Sequence, residues 1–562
     1  RNELTLISDS PSISMTYPTP LIPHGSDNFG VLQETFRWKI PEYFNIAEAV
    51  CDRHQVHRDR VALYWEDASG QSAEYTFGDL IELSNRFANV LVGLGIQAGD
   101  RVGIILPQRV EAAVCHLAAW KIGAISLPLS VLFGIDALKY RLLDSAARVV
   151  VTTGDPLDRV EALRPELPAL DLVMDCDRRK GGFWDLVDQA ASQTKCLRTR
   201  ADDPAILIYT SGTTGPPKGA LNAHRWLLGN LTGFELSHEL FPQSGDCFWT
   251  PADWAWAGGL MDALIPSWFY GCPVLGYDGG RFDPERVCQL LEKYRVRNAF
   301  IPPTALKLLR QLGSLDRFDL RLRSIMSAGE TVGSQLYHWA QEELHVQINE
   351  MWGQTEFNYA VGNSSSMMSI VPGAMGKPYP GHQVEPLDSS GQPMADGEIG
   401  ELCGWRDDPV MFLGYWNREA ATEDQFMGGW WRSGDMGYRD SDGYLWFVGR
   451  GDDVISSSGY RIGPGEIEDC LLKHPAVAQV AAIGSPDALR GEIVKAFIVL
   501  AHGHCPSDDL RDDIQNTVRN NLAAYEYPRE IEFIDELPMT TTGKVRRIVL
   551  RDAERRRKGV AD

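Results

Sequence analysis

The chain of 562 residues carries 76 acidic and 54 basic side chains, for a formal charge of -22. An excess of carboxylates on that scale argues against a nucleic-acid or anionic-membrane surface and points to small-molecule partners. The length supports one large domain and at least one smaller one, with ample core.

Residues 1–14, RNELTLISDSPSIS, precede the first methionine, Met15, and are set aside from fold reasoning as leader or upstream sequence. The N-terminus lacks the basic-then-apolar order of a signal peptide, and no run of about 18 apolar residues occurs, so a cytoplasmic protein without a membrane span is expected. Ten cysteines lie far apart with no C-x-x-C pair, the pattern of structural thiols in a reducing compartment rather than a zinc site.

From Thr76, the stretch TFGDLIELSNRFANVLVGLG spaces Phe77, Leu80, Ile81, Phe87, Val90, Leu91 and Leu94 near a period of 3.6. This predicts a helix, capped by a Thr76–Asp79 box and ended at Gly93 or Gly95. Short apolar runs follow at 101–107, 124–129, 148–153, 205–210, 273–277, 297–302 and 324–329, separated by helical stretches. Continuous apolar strands alternating with helices predict an α/β domain built on two largely parallel sheets. Around 372–450 the texture changes to Gly/Pro turns and alternating strands such as GEIGELCG (397–404) and GYLWFVG (443–449), which predicts an antiparallel, barrel-like layer. Beyond it, a helix with Glu466, Ile467 and Leu471 and strands at 477–484 and 492–500 predict a small α+β domain able to move as a body. The expected division is a large domain over 1–451 and a small one over 452–562.

One stretch concentrates chemistry. YTSGTTGPPKG (209–219) packs three glycines, four aliphatic hydroxyls and a lysine directly after an apolar strand. Backbone N–H groups in such a turn converge on an anion, and hydroxyls and an ammonium add donors and charge. It departs from the G-x-x-x-x-G-K-[ST] phosphate loop, because Pro217 precedes Lys218 and Gly219 follows it. Taken alone, it leaves a polar surface turn as the lesser alternative.

Three further stretches decide between these. MWGQTE (351–356), WWRSGDMGYRDSDGYLWFVGRGDDVISSSGYRIGPGEIE (430–468) and PMTTTGKVRR (538–547) stand in the order and spacing of the adenylate-forming acyl-CoA synthetases, and from about residue 30 onward the chain resembles that family, closest in look to its medium-chain and aryl members. The resemblance implies a ligase that joins a carboxylic acid to ATP, giving acyl-AMP and pyrophosphate, and then passes the acyl group to coenzyme A, with Mg²⁺ as cofactor. It implies that Thr210, Ser211, Gly212, Thr213, Thr214, Gly215 and Lys218 hold the β- and γ-phosphates. Glu356 would hold Mg²⁺ and Thr355 donate to the α-phosphate, roles that suit a hard cation and an oxyanion. Gly329, Glu330 and Thr331 with Glu350, Met351 and Trp352 match the adenine pocket, and Asp435 would accept the ribose hydroxyls, assisted by Arg450. Lys544 would set its charge against the carboxylate and α-phosphate in the first half-reaction. Asp452 matches a hinge, and Gly459, Tyr460 and Arg461 match the loop facing the coenzyme A tunnel. The P-x-x-x-x-G-K pattern over 538–544 also resembles one read by a lysine acetyltransferase and deacetylase acting on Lys544.

For the acid, the family's acetate users carry a tryptophan before Gln-Thr-Glu and a Val-Thr pair after an earlier Trp, whereas this chain has Gly353 and the pair Ala257-Gly258 after Trp256. A wall without the indole would admit medium-chain, branched or aryl acids rather than acetate, each buried methylene contributing about 0.8 kcal/mol. Trp254 and Trp268 in the same segment read equally well as core residues. Two rivals remain: an enzyme that adenylates an acid but loads a carrier-protein thiol, and a nucleotide-binding protein without catalysis.

Overall fold

The computed structural model describes residues 19–177, 180–210, 216–451, 453–457, 460–487, 490–521, 526–540 and 543–559. The chain divides into two compact units. One comprises residues 1–372, 376–383 and 405–425, the other 373–375, 384–404 and 426–562.

The first unit holds two sheets. One runs in the order Gly414–Tyr415, Lys218–Ala223, Pro204–Thr210, Ile125–Pro128, Arg101–Ile105, Val149–Thr152, Leu172–Asp175. Its five strands from Pro204–Thr210 onward are parallel, and the first two are antiparallel. Ile125–Pro128 and Val149–Thr152 are buried at every position, which is why these strands read as unbroken apolar runs. The other sheet contains Phe357–Gly362, Ile348–Gln354, Ser324–Ala328, Asn298–Phe300, Phe248–Trp249, Val274–Asp278, Val61–Asp67 and Ser72–Thr76 in that order, antiparallel only at its two ends. The helix Phe77–Gly93 starts with the expected capping box: Thr76 Oγ1 accepts from the Asp79 N–H at 3.1 Å, and Asp79 Oδ2 accepts from the Thr76 N–H at 2.8 Å. The helix Trp226–Ser237 is buried along its whole length, and Trp254 and Trp268 are core side chains at 1% and 0% exposure.

In the second unit, Val384–Leu387, Gly400–Trp405, Trp430–Arg439 and Leu445–Arg450 form the expected antiparallel layer. The layer is open rather than closed into a barrel. Closure needs the outer strands to pair with each other, and here Val384–Leu387 and Leu445–Arg450 stand at opposite ends. A smaller sheet in the same unit pairs Val477–Asp487 with Gly491–Leu500 antiparallel, and Glu530–Phe533 lies parallel to the latter. The helices Pro464–Leu471 and Asp508–Asn521 add Ile467, Leu471, Ile514 and Val518 to its core. Among the described residues no helix is long and apolar enough to cross a membrane.

Candidate active site

The 209–219 stretch joins two antiparallel strands, Pro204–Thr210 and Lys218–Ala223. Thr210 pairs with Lys218, and the Thr210 hydroxyl donates to the Lys218 carbonyl at 3.3 Å. Ser211, Gly212, Thr213, Thr214 and Gly215 lie outside the described residues. The two posts of the turn are braced from outside: Tyr209 donates to Asp144 at 2.7 Å, and Tyr140 donates to the Pro217 carbonyl at 3.0 Å.

Lys218 directs its ammonium over the ring of Tyr415, 4.9 Å from the centroid. The hydroxyl of the same tyrosine donates to Glu356 Oε1 at 2.8 Å. Both groups come to this ring because Gly414–Tyr415 is the edge strand beside Lys218–Ala223, while the Phe412 N–H donates to the Glu356 carbonyl at 2.9 Å. One cation and one nearly buried carboxylate are thus gathered at the foot of the glycine-rich turn. Among the described residues no group of three or more His, Cys, Asp or Glu side chains could enclose a metal ion by itself. A single carboxylate suits Mg²⁺, which takes one or two carboxylates and fills its other positions with water and phosphate oxygens.

The adenine candidates fall together. Ala328 lies beside Met351 in the parallel register, so Gly329, Glu330 and Thr331 leave the sheet alongside Met351 and Trp352. Gly329 turns with φ +92, a conformation glycine adopts without strain. Glu330 accepts from the Thr304 hydroxyl at 3.2 Å, and Met351 and Trp352 are buried. Glu350 is buried too, accepting from Tyr337 at 2.8 Å; burial pushes its carboxyl up to about 7, against the lowering effect of that hydrogen bond. Thr355 follows at the end of the strand, half-buried next to Glu356.

The acyl candidates lie on and before a continuous helical stretch over 257–269, interrupted by a π-helical turn at Leu260–Leu264. Trp256 meets Phe133 edge to face at 5.8 Å. A Cβ on Gly258 would stand 2.6 Å from the Phe300 ring, whereas one on Gly353 would stand 2.6 Å from the backbone nitrogen of Tyr359. Ala257 is half-buried. Within the π-turn, Asp262 is buried and accepts from the amides of Asn358 and Asn230. Burial pushes its carboxyl from an ordinary 3.8 up to about 8, partly offset by the Asn358 hydrogen bond.

That shift has a sign. Below about pH 4 the folded and unfolded chains both hold the Asp262 proton; between about 4 and 8 only the folded chain does, so rising pH erodes stability by up to about 1.4 kcal/mol per unit from this group. Asp262→Asn should therefore melt progressively higher relative to the parent as pH rises through that window and keep a constant margin above it. A margin that does not change with pH would show that Asp262 is ionised throughout.

The second unit carries the remaining candidates. Asp435 and Arg450 face each other across a hairpin and form an ion pair at 2.8 Å, with Asp435 5% exposed. Lys544 is exposed on a tight turn whose backbone is pinned at both ends. Its N–H donates to Thr540 Oγ1 at 2.9 Å and its carbonyl accepts from the Thr540 N–H at 2.7 Å. Tyr460 and Arg461 lie on the strand Tyr460–Ile462, paired with Ile455–Ser457. Asp452 and Gly459 lie outside the described residues.

Residues 51–416 match the family described as AMP-binding enzyme, and residues 466–544 match the AMP-binding enzyme C-terminal domain. The chain belongs to the AMP-binding enzyme family. It is 38% identical over 526 residues to the acetyl-coenzyme A synthetase of Bacillus subtilis (strain 168), covering 90% of each chain. It is 34% identical to the mitochondrial acyl-coenzyme A synthetase ACSM3 of Rattus norvegicus, covering 95% of this chain and 94% of that one. The anthranilate CoA ligase AuaEII, solved in complex with anthranoyl-AMP, superposes with a TM-score of 0.85 at 29% identity over 92% of this chain and 99% of that one. This AMP-binding enzyme is an AMP-forming acid–CoA ligase by family.

Motif reasoning missed three residues that the structure places at the site: Tyr415, Tyr337 and Asp262. Tyr415 sits in LGYWN, which carries no motif chemistry of its own. Tyr337 and Asp262 belong to no motif, and the fold brings them to Glu350 and Asn358.

Proposed function

We propose that this AMP-binding enzyme activates a carboxylic acid larger than acetate in two steps. In the first, a carboxylate oxygen bonds to the α-phosphorus of ATP and the bond to the bridging oxygen breaks, releasing pyrophosphate and leaving acyl-AMP. In the second, the coenzyme A sulfur, having lost its proton, bonds to the acyl carbon and AMP departs. The observation that carries this reading is the meeting of Lys218 and Glu356 on Tyr415 at the foot of the hairpin turn. A triphosphate and its cation need a donor of each kind there.

Thr210, Lys218 and the turn between them grip the β- and γ-phosphates, which are the leaving group. Glu356 holds Mg²⁺, which neutralises phosphate charge when bound, and Thr355 donates to the α-phosphate. The 329–331 turn and Glu350 to Trp352 enclose the base; Asp435, steadied by Arg450, takes the ribose hydroxyls. Lys544 supplies positive charge to the first step, where bringing a carboxylate to a phosphate makes electrostatic offset the main requirement. A pivot at Asp452 would let the C-terminal residues 452–562 serve both steps, with Gly459, Tyr460 and Arg461 lining the thiol's path in the second. Trp256, Ala257, Gly258 and Gly353 belong to the acyl side, where the absence of an indole before Gln354 supports an acid larger than acetate.

Acid-dependent AMP release with ATP, Mg²⁺ and coenzyme A across acetate, butyrate, hexanoate, octanoate, 2-methylpropanoate and benzoate tests the reading. The expected result is a maximum away from acetate that vanishes without coenzyme A. A maximum at acetate overturns the acid assignment. Acid-dependent pyrophosphate without a thioester would point to a carrier-protein acceptor, and silence throughout overturns catalysis.

A further inference from the structure

Tyr415 is the contact that joins the two charges of the phosphate site. It uses two different parts of one side chain for opposite partners: the hydroxyl donates to Glu356 Oε1 at 2.8 Å, and the ring face receives the Lys218 ammonium at 4.9 Å. Among the described residues Lys218 makes no ion pair, although the hydroxyl of the tyrosine it covers donates to a carboxylate. The tyrosine itself has little freedom. It is 9% exposed, its N–H donates to Thr422 Oγ1 at 2.8 Å, and its strand is paired with Ala220.

The neighbours extend this brace along the second post of the turn. The Trp416 N–H donates to the Gly219 carbonyl at 2.7 Å, and the Leu413 N–H to the Leu221 carbonyl at 2.7 Å. Arg418 donates to the Tyr140 hydroxyl at 2.7 Å, and that hydroxyl donates to the Pro217 carbonyl. The segment 412–418 is therefore a strap between the Glu356 hairpin and the second post of the glycine-rich turn, with Tyr415 at its centre.

We propose that Tyr415 is a positioning residue for adenylation. It orients the Glu356 carboxylate and holds the Lys218 ammonium on its ring face, so that the two charges stay apart and meet the metal-bound triphosphate rather than each other. This inference rests on the function proposed above. A hydroxyl donating to a carboxylate is a charge-assisted hydrogen bond, and an ammonium over an aromatic face is held by the ring quadrupole. The two contacts are separable by substitution, because phenylalanine keeps the ring and loses the hydroxyl, whereas leucine loses both.

The test uses the full chain and three readouts: equilibrium binding of ATP by calorimetry across a Mg²⁺ titration, acid-dependent pyrophosphate release, and melting temperature without nucleotide. Tyr415→Phe is expected to need about tenfold more Mg²⁺ for half-maximal ATP binding while melting like the parent. Tyr415→Leu should show the same Mg²⁺ shift and, in addition, weaker ATP binding at saturating Mg²⁺. A Tyr415→Phe protein with the parental Mg²⁺ dependence overturns the inference, as does one that loses binding equally at every Mg²⁺ concentration together with its melting temperature, since that is a packing role. Parental enzyme that releases no pyrophosphate with any acid would instead sink the proposed function and this inference with it; active parental enzyme with an unaltered Phe variant sinks the inference alone.

Discussion

Lys544→Gln is expected to lose acid-dependent pyrophosphate release by about a hundred- to a thousandfold, the usual cost of removing one group that offsets charge in a transition state. The same protein should convert chemically prepared acyl-AMP and coenzyme A to thioester near the parental rate, because that step breaks a bond to AMP and forms no new bond to phosphorus. The turn makes this a clean experiment. Lys544 is anchored through its backbone to Thr540, Gly543 takes φ +83, and the side chain is exposed, so the substitution removes a charge without opening a cavity. Melting temperature should stay where it is. Enzymatic acetylation of Lys544 by a lysine acetyltransferase, which that exposure permits, should reproduce the defect, and a deacetylase should reverse it. Equal loss of both half-reactions would move Lys544 from charge compensation to a general binding role, and unimpaired pyrophosphate release would remove it from the chemistry altogether.

Lys544 also shows what kind of information the sequence carries. Its proposed role is legible only because TTTGKVRR resembles a motif; the residues alone give a lysine beside arginines, and the structure shows it exposed. The helix Phe77–Gly93 is legible from physics alone, because the 3.6 spacing, the Thr76–Asp79 box and Gly95 at φ +79 all say the same thing locally. The parallel strands are legible because burial on both faces leaves a continuous apolar run. What stays hidden is contact between distant segments. The strand Lys218–Ala223 looks like the tail of a loop, and Gly414–Tyr415 is two residues long, yet their pairing brings Tyr415 to Lys218 and Glu356. The helix Asp508–Asn521 is hidden for another reason: only its inward residues, such as Ile514 and Val518, are apolar, and the rest is a polar exposed face.

Gly353→Trp is the substitution that motif comparison alone recommends for turning the enzyme toward acetate, and the structure predicts that it fails. Gly353 sits at an irregularity between Ile348–Gln354 and Phe357–Gly362, where the register shifts between the pairs Trp352–Val361 and Gln354–Phe357. A Cβ there meets the Tyr359 nitrogen at 2.6 Å and the Asn358 carbonyl carbon at 3.1 Å, both backbone atoms that cannot swing aside. Tyr359 cannot yield either. It is fully buried at φ +54, hydrogen-bonded to Ser237 at 2.6 Å, and its ring fills the space that a Cβ on Gly233 would need. Forcing a side chain into such a contact should cost roughly 3 kcal/mol or more, so both Gly353→Ala and Gly353→Trp should melt well below the parent without gaining acetate activity. Gly258→Ala makes the informative contrast, because its added methyl meets the Phe300 ring, a side chain rather than backbone. That variant should keep its fold and shift the order of preferred acids. If Gly353→Trp instead melts like the parent and prefers acetate, the hairpin opens more readily than its backbone contacts allow, and the missing indole, not the helix at 257–269, governs acid choice.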